Sequence, residues 1–260
     1  MKSFILNQFP NAIDTARVTV NALSPAGGRV IINTLEIDEN TIGLTGDPYP
    51  WSGTYFSGIP INLVAKPNPG YEFAGWLGTS LTNDSITVDF YSDTLFTAVF
   101  DPITDVISGI HINEVISNNQ MIIADEYGDY EPFIELYNTS LDTINWGALF
   151  LTNDLNDKTR WNIPSSIEPL VPGNHIMIWA DGDMYQSNLH TNFDLGNETL
   201  YMFQLIPGID TVLLGQLETP NTNQANISRG SYPDGSSNII EFTIPTPISV
   251  NVYRYSSYYD

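Results

Sequence analysis

Four carboxylates fall within seven residues in the acidic segment 125–131, Asp-Glu-Tyr-Gly-Asp-Tyr-Glu. Carboxylate oxygens are the ligands that Ca²⁺ prefers in proteins, and Gly128 would allow the chain to bend around a cation. Because the segment does not have the spacing of a calcium-loop motif, a solvated turn is our preferred interpretation and a calcium site is the alternative. The candidate calcium ligands are Asp125, Glu126, Asp129 and Glu131.

Two further carboxylates, Glu114 and Glu135, lie within otherwise apolar segments. A carboxylate buried in such a segment needs hydrogen bonds or a cation to offset its desolvation. Paired carboxylates can also act as general acid and base, as in glycoside hydrolysis. We favour structural hydrogen bonding. The neighbouring positions on the two strands are Asn113, which is polar, and Ile134, which is apolar, so at least one face of these strands is mixed.

Other catalytic signatures are missing from the sequence. Histidine occurs singly at three positions, without the His-Glu-x-x-His or His-x-His spacing of a zinc site. There is no cysteine, no Gly-x-Ser-x-Gly motif and no glycine loop followed by Lys-Ser/Thr. We therefore expect no enzyme activity and no cofactor, with calcium as the one alternative. The histidines, of which we interpret the last two as structural, are His111, His175 and His190.

Three aromatic residues in a Pro- and Gly-rich segment, Tyr49, Trp51 and Tyr55, are candidate binding residues. Exposed aromatic rings are common at binding surfaces, where these could stack on sugars. The alternative, which we favour, is that Trp51 closes one end of a small domain core. We interpret the tyrosine-rich tail, 251–260, as the frayed start of a further segment.

The charge of the chain excludes several classes of partner. Eight Lys and Arg against thirty Asp and Glu give a net charge of −22 over 260 residues. So acidic a surface repels nucleic-acid backbones and anionic lipids. No segment approaches the roughly 20 apolar residues of a membrane span, and the apolar run at the N-terminus is too short for a signal peptide. We expect no nucleic-acid binding and no direct membrane insertion.

The hydrophobic pattern predicts an almost entirely β-structured protein. A short amphipathic turn before Pro10 predicts a helical segment over 1–16, and from Arg17 onward apolar residues alternate with polar ones, as is typical of strands. Periodicity is lost at 102–107, where Asp-Pro and other turn residues predict a linker between two domains. The strands with the clearest alternation are predicted at 59–66, 71–76, 85–90, 94–100, 110–116, 133–137, 148–152, 175–180, 199–205 and 211–217.

The first domain, 17–101, resembles the divergent internalin B-type repeat of bacterial surface proteins. The resemblance rests on Gly-Tyr-Glu-Phe-Ala-Gly-Trp at 70–76 and Leu-Phe-Thr-Ala-Val-Phe at 95–100. Such repeats serve as spacers or adhesion units. We expect a small β-rich domain whose bulky core residues are Tyr71, Phe73, Trp76, Val99 and Phe100.

The second domain, 108–250, resembles the bacterial lamin-tail domain. The matching segments are Ile-Asn-Glu-Val at 112–115, Ala-Asp-Glu-Tyr-Gly-Asp at 124–129 and Phe-Ile-Glu-Leu-Tyr-Asn at 133–138. The resemblance implies an immunoglobulin-like β-sandwich that has no catalytic residues and binds or tethers. One departure is the pair Pro132-Phe133, which replaces the usual Asp-Trp, so a role for that acidic residue does not carry over.

The order of these segments is similar to the C-terminal region of secreted proteins of the spore-coat-H type. The sequence therefore predicts a non-catalytic binding or tethering module of a secreted or cell-surface bacterial protein, whose signal peptide is not in this chain. Its partner would be a protein or polysaccharide at the cell surface. The alternatives are a calcium-dependent carbohydrate- or matrix-binding module, and an accessory region of a larger enzyme with a kinase-like or hydrolase domain upstream.

Overall fold

The computed structural model of the protein describes residues 12–253. The chain divides into two compact units, Met1–Ile103 and Thr104–Asp260. Between residues 12 and 253 every regular element is a strand except one 3₁₀ turn at Pro25–Gly27. None of the described residues form a helix of the length and apolarity needed to cross a membrane. The predicted all-β fold class is confirmed.

The first unit contains two four-stranded sheets, with strand orders β4-β1-β8-β6 and β3-β2-β5-β7. Pairing is antiparallel except between β1 and β8, the first and last strands of the unit, which are parallel. The strands are β1 Asp14–Ala22, β2 Gly28–Ile32, β3 Leu35–Ile37, β4 Trp51–Ser57, β5 Ile61–Pro67, β6 Tyr71–Leu77, β7 Ser85–Val88 and β8 Thr94–Pro102.

Two local predictions for this unit need correction. The helical segment predicted over 1–16 lies outside the described residues as far as residue 11, and its last three residues belong to β1. Residues 46–53, Gly-Asp-Pro-Tyr-Pro-Trp-Ser-Gly, are of the types that predict an irregular connection, but β4 begins at Trp51. The two segments pair with each other: residues 14–20 of β1 lie antiparallel to residues 51–57 of β4.

Period-two alternation places the core of the first unit between its sheets. On β8, Phe96, Ala98 and Phe100 are buried, while Val99 between them is half-buried on the opposite face. The prediction of Val99 as a core residue is therefore wrong, because one position along a strand reverses the face. Trp76 is buried as predicted, and its indole Nε1 donates a hydrogen bond to the Asn83 carbonyl at 3.0 Å.

The aromatic core requires glycine where β2 begins. A Cβ atom added to Gly28 would lie 2.6 Å from the ring of Phe100, closer than non-bonded carbons approach. The Phe73 ring lies against both Trp76 and Phe100, with centroid distances of 5.6 and 6.3 Å. Tyr71 and Phe73 pack against this core but are only partly buried. Residues 27 and 28 are thus both restricted to glycine, because a Cβ atom at either position would overlap with the Phe100 side chain.

The second unit contains nine strands in two antiparallel sheets. A five-stranded sheet has the order β13-β10-β9-β16-β17, and a four-stranded sheet has the order β12-β11-β14-β15. The strands are β9 Ile110–Ile116, β10 Phe133–Asn138, β11 Leu149–Thr152, β12 Trp161–Asn162, β13 His175–Trp179, β14 Thr199–Ile206, β15 Asp210–Glu218, β16 Ser228–Ser231 and β17 Ile239–Phe242.

One large hydrophobic cluster joins the two sheets of this unit. Val115 and Leu136 of the five-stranded sheet share one buried cluster with Leu151 and Met202 of the four-stranded sheet. Such packing of two antiparallel sheets is the arrangement of a β-sandwich. The predicted immunoglobulin-like sandwich class agrees with this architecture.

The segment predicted as a linker, 102–107, is held by hydrogen bonds. Pro102 ends β8, and the amide of Ile103 donates to the Gly70 carbonyl at 2.8 Å within the first unit. Within the second unit, the buried Gln204 side chain donates to the Asp105 carbonyl at 2.8 Å and accepts the Ile107 amide at 2.7 Å.

We expect Trp76→Ala to lower the free energy of unfolding of the first unit by roughly 3–5 kcal/mol, because it removes a buried ring and leaves a cavity. Leu77→Ala is the matched control, since Leu77 is the next residue of β6 and is 55% exposed. Denaturant titration, with hydrogen exchange reporting on residues 14–102, measures the change. Equal effects of the two substitutions would contradict the core described above.

Candidate functional site

Three side chains of the second unit place potential metal-ligand atoms close together. Asp125 and Glu126 lie in the loop between β9 and β10, and His190 lies in the segment after β13. One carboxylate oxygen of each acid and one ring nitrogen of His190 all lie within 4.8 Å of one another. In the described part of the chain this group does not include Asp129 or Glu131.

The loop positions Asp125 by using one of its two carboxylate oxygens. Oδ1 accepts the backbone amides of Tyr127 at 2.8 Å and Asp129 at 2.9 Å, and the Asp125 amide donates to the Asp129 carbonyl at 2.9 Å. Such a turn is what the acidic segment predicts, because Asp side chains bond their own backbone. The other oxygen, Oδ2, is buried and has no hydrogen-bond partner among residues 12–253.

The backbone around His190 fixes the position of its ring. His190 forms a parallel bridge with Trp179 at the end of β13, and the imidazole is 1% exposed. Its Nδ1 lies 2.6 Å from Oδ2 of Asp181. Its Nε2 lies 3.5 Å from Oε1 of Glu126 and has no hydrogen-bond partner within the described residues.

The electrostatic setting of this group is strongly negative. Hydrogen bonds from Ser187 and from its own backbone lower the pKa of Glu126, which is 45% exposed. Partial burial raises the pKa of Glu131, and the nearby charges of Asp181 and Asp129 raise it further. Negative charge at such a density favours a bound cation.

The part of the site contributed by His190 was missed by sequence reasoning. His190 was interpreted as a structural residue of the segment Leu-His-Thr-Asn-Phe at 189–193. No spacing rule connects it to the acidic segment, because the contact depends on how the loops of a folded sandwich meet. Its position next to Leu189 was the one local signal, and such a position is typical of a core histidine as well.

Glu114 and Glu135 form a second, fully buried carboxylate pair. Both are 0% exposed and lie opposite each other on β9 and β10. Glu114 accepts hydrogen bonds from the Ser228 hydroxyl and from the Thr246 amide at 3.1 Å. Glu135 accepts the Ile248 amide at 2.6 Å and the Asn113 side-chain amide at 2.8 Å. Burial raises the pKa of both carboxyl groups, that of Glu135 to about 8.

These carboxylates hold the C-terminal segment 246–251 on the five-stranded sheet. Asn251, one residue beyond the predicted domain end at 250, is 2% exposed and donates from its side chain to the Ser231 carbonyl at 2.7 Å. Its amide donates to Asp234 Oδ1 at 2.9 Å, and Asp234 Oδ2 lies 3.2 Å from His175 Nε2. The arrangement agrees with structural hydrogen bonding rather than acid–base chemistry.

The three candidate binding aromatics pack partly against the core of the first unit. The Tyr49 hydroxyl accepts the Val30 amide at 2.6 Å and donates to the Ile37 carbonyl at 2.7 Å, and burial raises its pKa to about 12. Trp51 and Tyr55 lie on the same face of β4, where both rings come within 3 Å of the position that a Gly53 Cβ would occupy. Each of the three side chains is half-buried.

Comparison with known proteins supports one of the three resemblances. Residues 33–104 match the family model of the divergent InlB B-repeat domain, which covers less than a third of the chain. No curated protein matches the chain significantly. A solved structure of a DUF4876 family protein from Bacteroides thetaiotaomicron is 13% identical with a TM-score of 0.24, over 73% of this chain and 66% of that chain. The chain thus spans just under two thirds of that protein, and so low a TM-score carries no argument.

We expect Glu135→Gln to flatten the pH dependence of stability. A carboxyl group whose pKa is about 8 when folded and 4.5 as a model value binds a proton more tightly in the native state. Its contribution to the free energy of unfolding is therefore complete below pH 4.5. That contribution falls by up to about 1.4 kcal/mol per pH unit as the pH rises from 4.5 and is lost once the pH has passed 8. Urea titrations from pH 5 to 8 measure this slope. Glu241→Gln, at an exposed position of β17, should leave it unchanged.

Asn251→Ala should lower the free energy of unfolding of the second unit by roughly 1–3 kcal/mol, because it leaves the buried Ser231 carbonyl without its donor. Val252→Ala is the control, since Val252 is adjacent in the chain and 39% exposed. Thermal and denaturant unfolding of the full chain measure both variants. A cost at Asn251 no larger than at Val252 would show that the C-terminal segment is not part of the folded unit.

Proposed function

We propose that the chain is a non-catalytic binding or tethering module of a secreted or cell-surface bacterial protein. The observation that carries the proposal is the match of residues 33–104 to the divergent InlB B-repeat domain. The sequence resemblance implies that such repeats act as spacers or adhesion units of bacterial surface proteins. The whole-chain role is inferred from this one domain together with the sandwich that follows it.

The hydrogen bonds of the buried carboxylates support a non-catalytic role. Glu114 and Glu135 are the pair that comes nearest to a general acid and base, yet both are fully buried and accept hydrogen bonds from residues 246–248. A general acid or base must reach the proton that it transfers to or from the substrate. Here the space next to the carboxylates is filled by the chain itself.

The second unit supports a tethering role through its architecture. Two antiparallel sheets pack around one core, as expected for the lamin-tail class that residues 108–250 resemble. The segment that precedes β9 and the segment that follows β17 are both bonded to buried side chains of the sandwich. Such anchoring suits a module that connects neighbouring parts of a longer protein.

The net charge and the aromatics of β4 indicate the kind of partner. At −22, the chain repels anionic polymers, so an uncharged or cationic protein or polysaccharide at the cell surface is the partner that its charge allows. The half-buried rings of Trp51 and Tyr55, which lie on the same face of β4, favour a carbohydrate over a protein as a second candidate for that partner. An accessory role beside a kinase-like or hydrolase domain is compatible with the same module.

The proposal is tested by sedimenting the full chain with purified peptidoglycan and with insoluble neutral polysaccharides. We expect the chain to be retained by at least one polymer while soluble sugar in the supernatant does not increase with time. Trp51→Ala should lower retention about tenfold if the β4 aromatics bind, and Tyr91→Ala, exposed in the same unit, should not. Time-dependent release of sugar that Glu135→Gln abolishes would contradict a non-catalytic role.

A further inference from the structure

Two buried polar atoms of the second unit lack hydrogen bonds to any described residue, and they belong to side chains whose potential ligand atoms lie within 4.8 Å of one another. His190 Nε2 and Asp125 Oδ2 are both buried and have no hydrogen-bond partner in the described range 12–253. Buried polar atoms are nearly always paired in native proteins, so each such pair needs an explanation. The nearest candidate partner, Glu126 Oε1, lies 3.5 Å from His190 Nε2 and is itself an acceptor.

The contact with Asp181 defines the chemistry of His190. Asp181 Oδ2 lies 2.6 Å from Nδ1 of His190, and Asp181 Oδ1 accepts a hydrogen bond from the Asp183 amide at 3.0 Å. A neutral imidazole that donates from Nδ1 has its lone pair on Nε2. In that tautomer the lone pair lies 3.5 Å from Glu126 Oε1, an arrangement that is repulsive unless a proton or a metal ion lies between the two atoms.

We propose that Asp125, Glu126 and His190 bind one divalent transition-metal ion of the zinc type, with Asp181 orienting the imidazole. A histidine ligand that donates its other ring nitrogen to a carboxylate is the usual arrangement around protein-bound zinc. Asp125 is similarly prepared, because Oδ1 is held by the two amides of its turn and Oδ2 is left to coordinate. This inference is independent of the proposed function.

The donor set distinguishes the metal from calcium. Ca²⁺ and Mg²⁺ take oxygen ligands, whereas an imidazole nitrogen with two carboxylates suits zinc and its neighbours in the first transition row. Three protein ligands leave a coordination position open, and Glu126 is 45% exposed at the solvent side of the group. The proposed ligand set therefore differs from the calcium set that the sequence predicted: it includes His190 and does not include Asp129 or Glu131.

The bound ion would cross-link two loops that already touch. The Tyr127 hydroxyl of the β9–β10 loop donates to the Gln186 carbonyl of the segment after β13 at 3.0 Å. Glu126 and His190 belong to the same two loops, so one ion coordinated by both would fix their separation. Because Glu126 is 45% exposed, an ion held there could also accept an oxygen or nitrogen ligand from solvent or from a partner molecule.

The experiment titrates ZnCl₂ into the untagged, chelator-treated full chain by calorimetry, and CoCl₂ with visible absorbance as a second readout. We expect saturation at one ion per chain, a Co²⁺ absorption band typical of low coordination number, and a rise in Tm with Zn²⁺. Glu126→Gln, at a half-exposed position that tolerates substitution, should weaken binding at least tenfold. His190→Gln should abolish the Co²⁺ band.

Two matched variants serve as controls. Asp129→Asn removes a carboxylate from the same loop outside the proposed ligand set, and His175→Gln removes another histidine paired with an aspartate. Both should bind Zn²⁺ as the wild type does. The proposal is overturned if no saturable one-to-one binding occurs, if Glu126→Gln binds as tightly as the wild type, or if Ca²⁺ stabilises the chain equally with and without His190.

Discussion

The five-stranded sheet of the second unit depends on donors for two buried carboxylates. Glu114 and Glu135 lie side by side on β9 and β10, on the face away from the hydrophobic core, where neither can reach water. Their neighbours within the sheet satisfy only part of their hydrogen-bonding capacity, so the chain must return after β17 to cover them. The amides of Thr246 and Ile248 supply what is missing.

This requirement explains why residues 246–251 are ordered without forming a strand or helix. The amides of Thr246, Ile248 and Asn251 donate to side-chain oxygens and not to a neighbouring strand, and the Asn251 side chain also donates to the Ser231 carbonyl. Ile248 takes a positive φ of 56°, which is uncommon for a β-branched residue and is held here by the hydrogen bond to Glu135. Polar contacts thus close the part of this face next to the two carboxylates, and a separate hydrophobic cluster that includes Ile116 and Phe133 lies beside them.

Much of the fold could be predicted because it is local. Alternation of apolar residues located most of the strands, and the bulky residues of 70–76 and 95–100 pointed to Trp76 and Phe100 as core. The prediction failed at Val99, which is apolar but lies one position away from the buried residues Ala98 and Phe100 and so faces the other side of the sheet. The strand Ser228–Ser231 was missed because it has no apolar alternation, its pairing being set by neighbours such as Glu114. Likewise, His190 joins the acidic segment only through loops that meet in three dimensions.

The parallel pairing of β1 with β8 has a mechanical consequence for the first unit. Among the described residues, β1 is the first strand of the unit and β8 the last, so the start of β1 and the end of β8 lie at opposite ends of one strand pair. Tension applied along the chain then pulls these strands past each other lengthwise. Their inter-strand hydrogen bonds share the load together instead of opening one after another, which is the geometry in which a β-sheet resists extension most strongly.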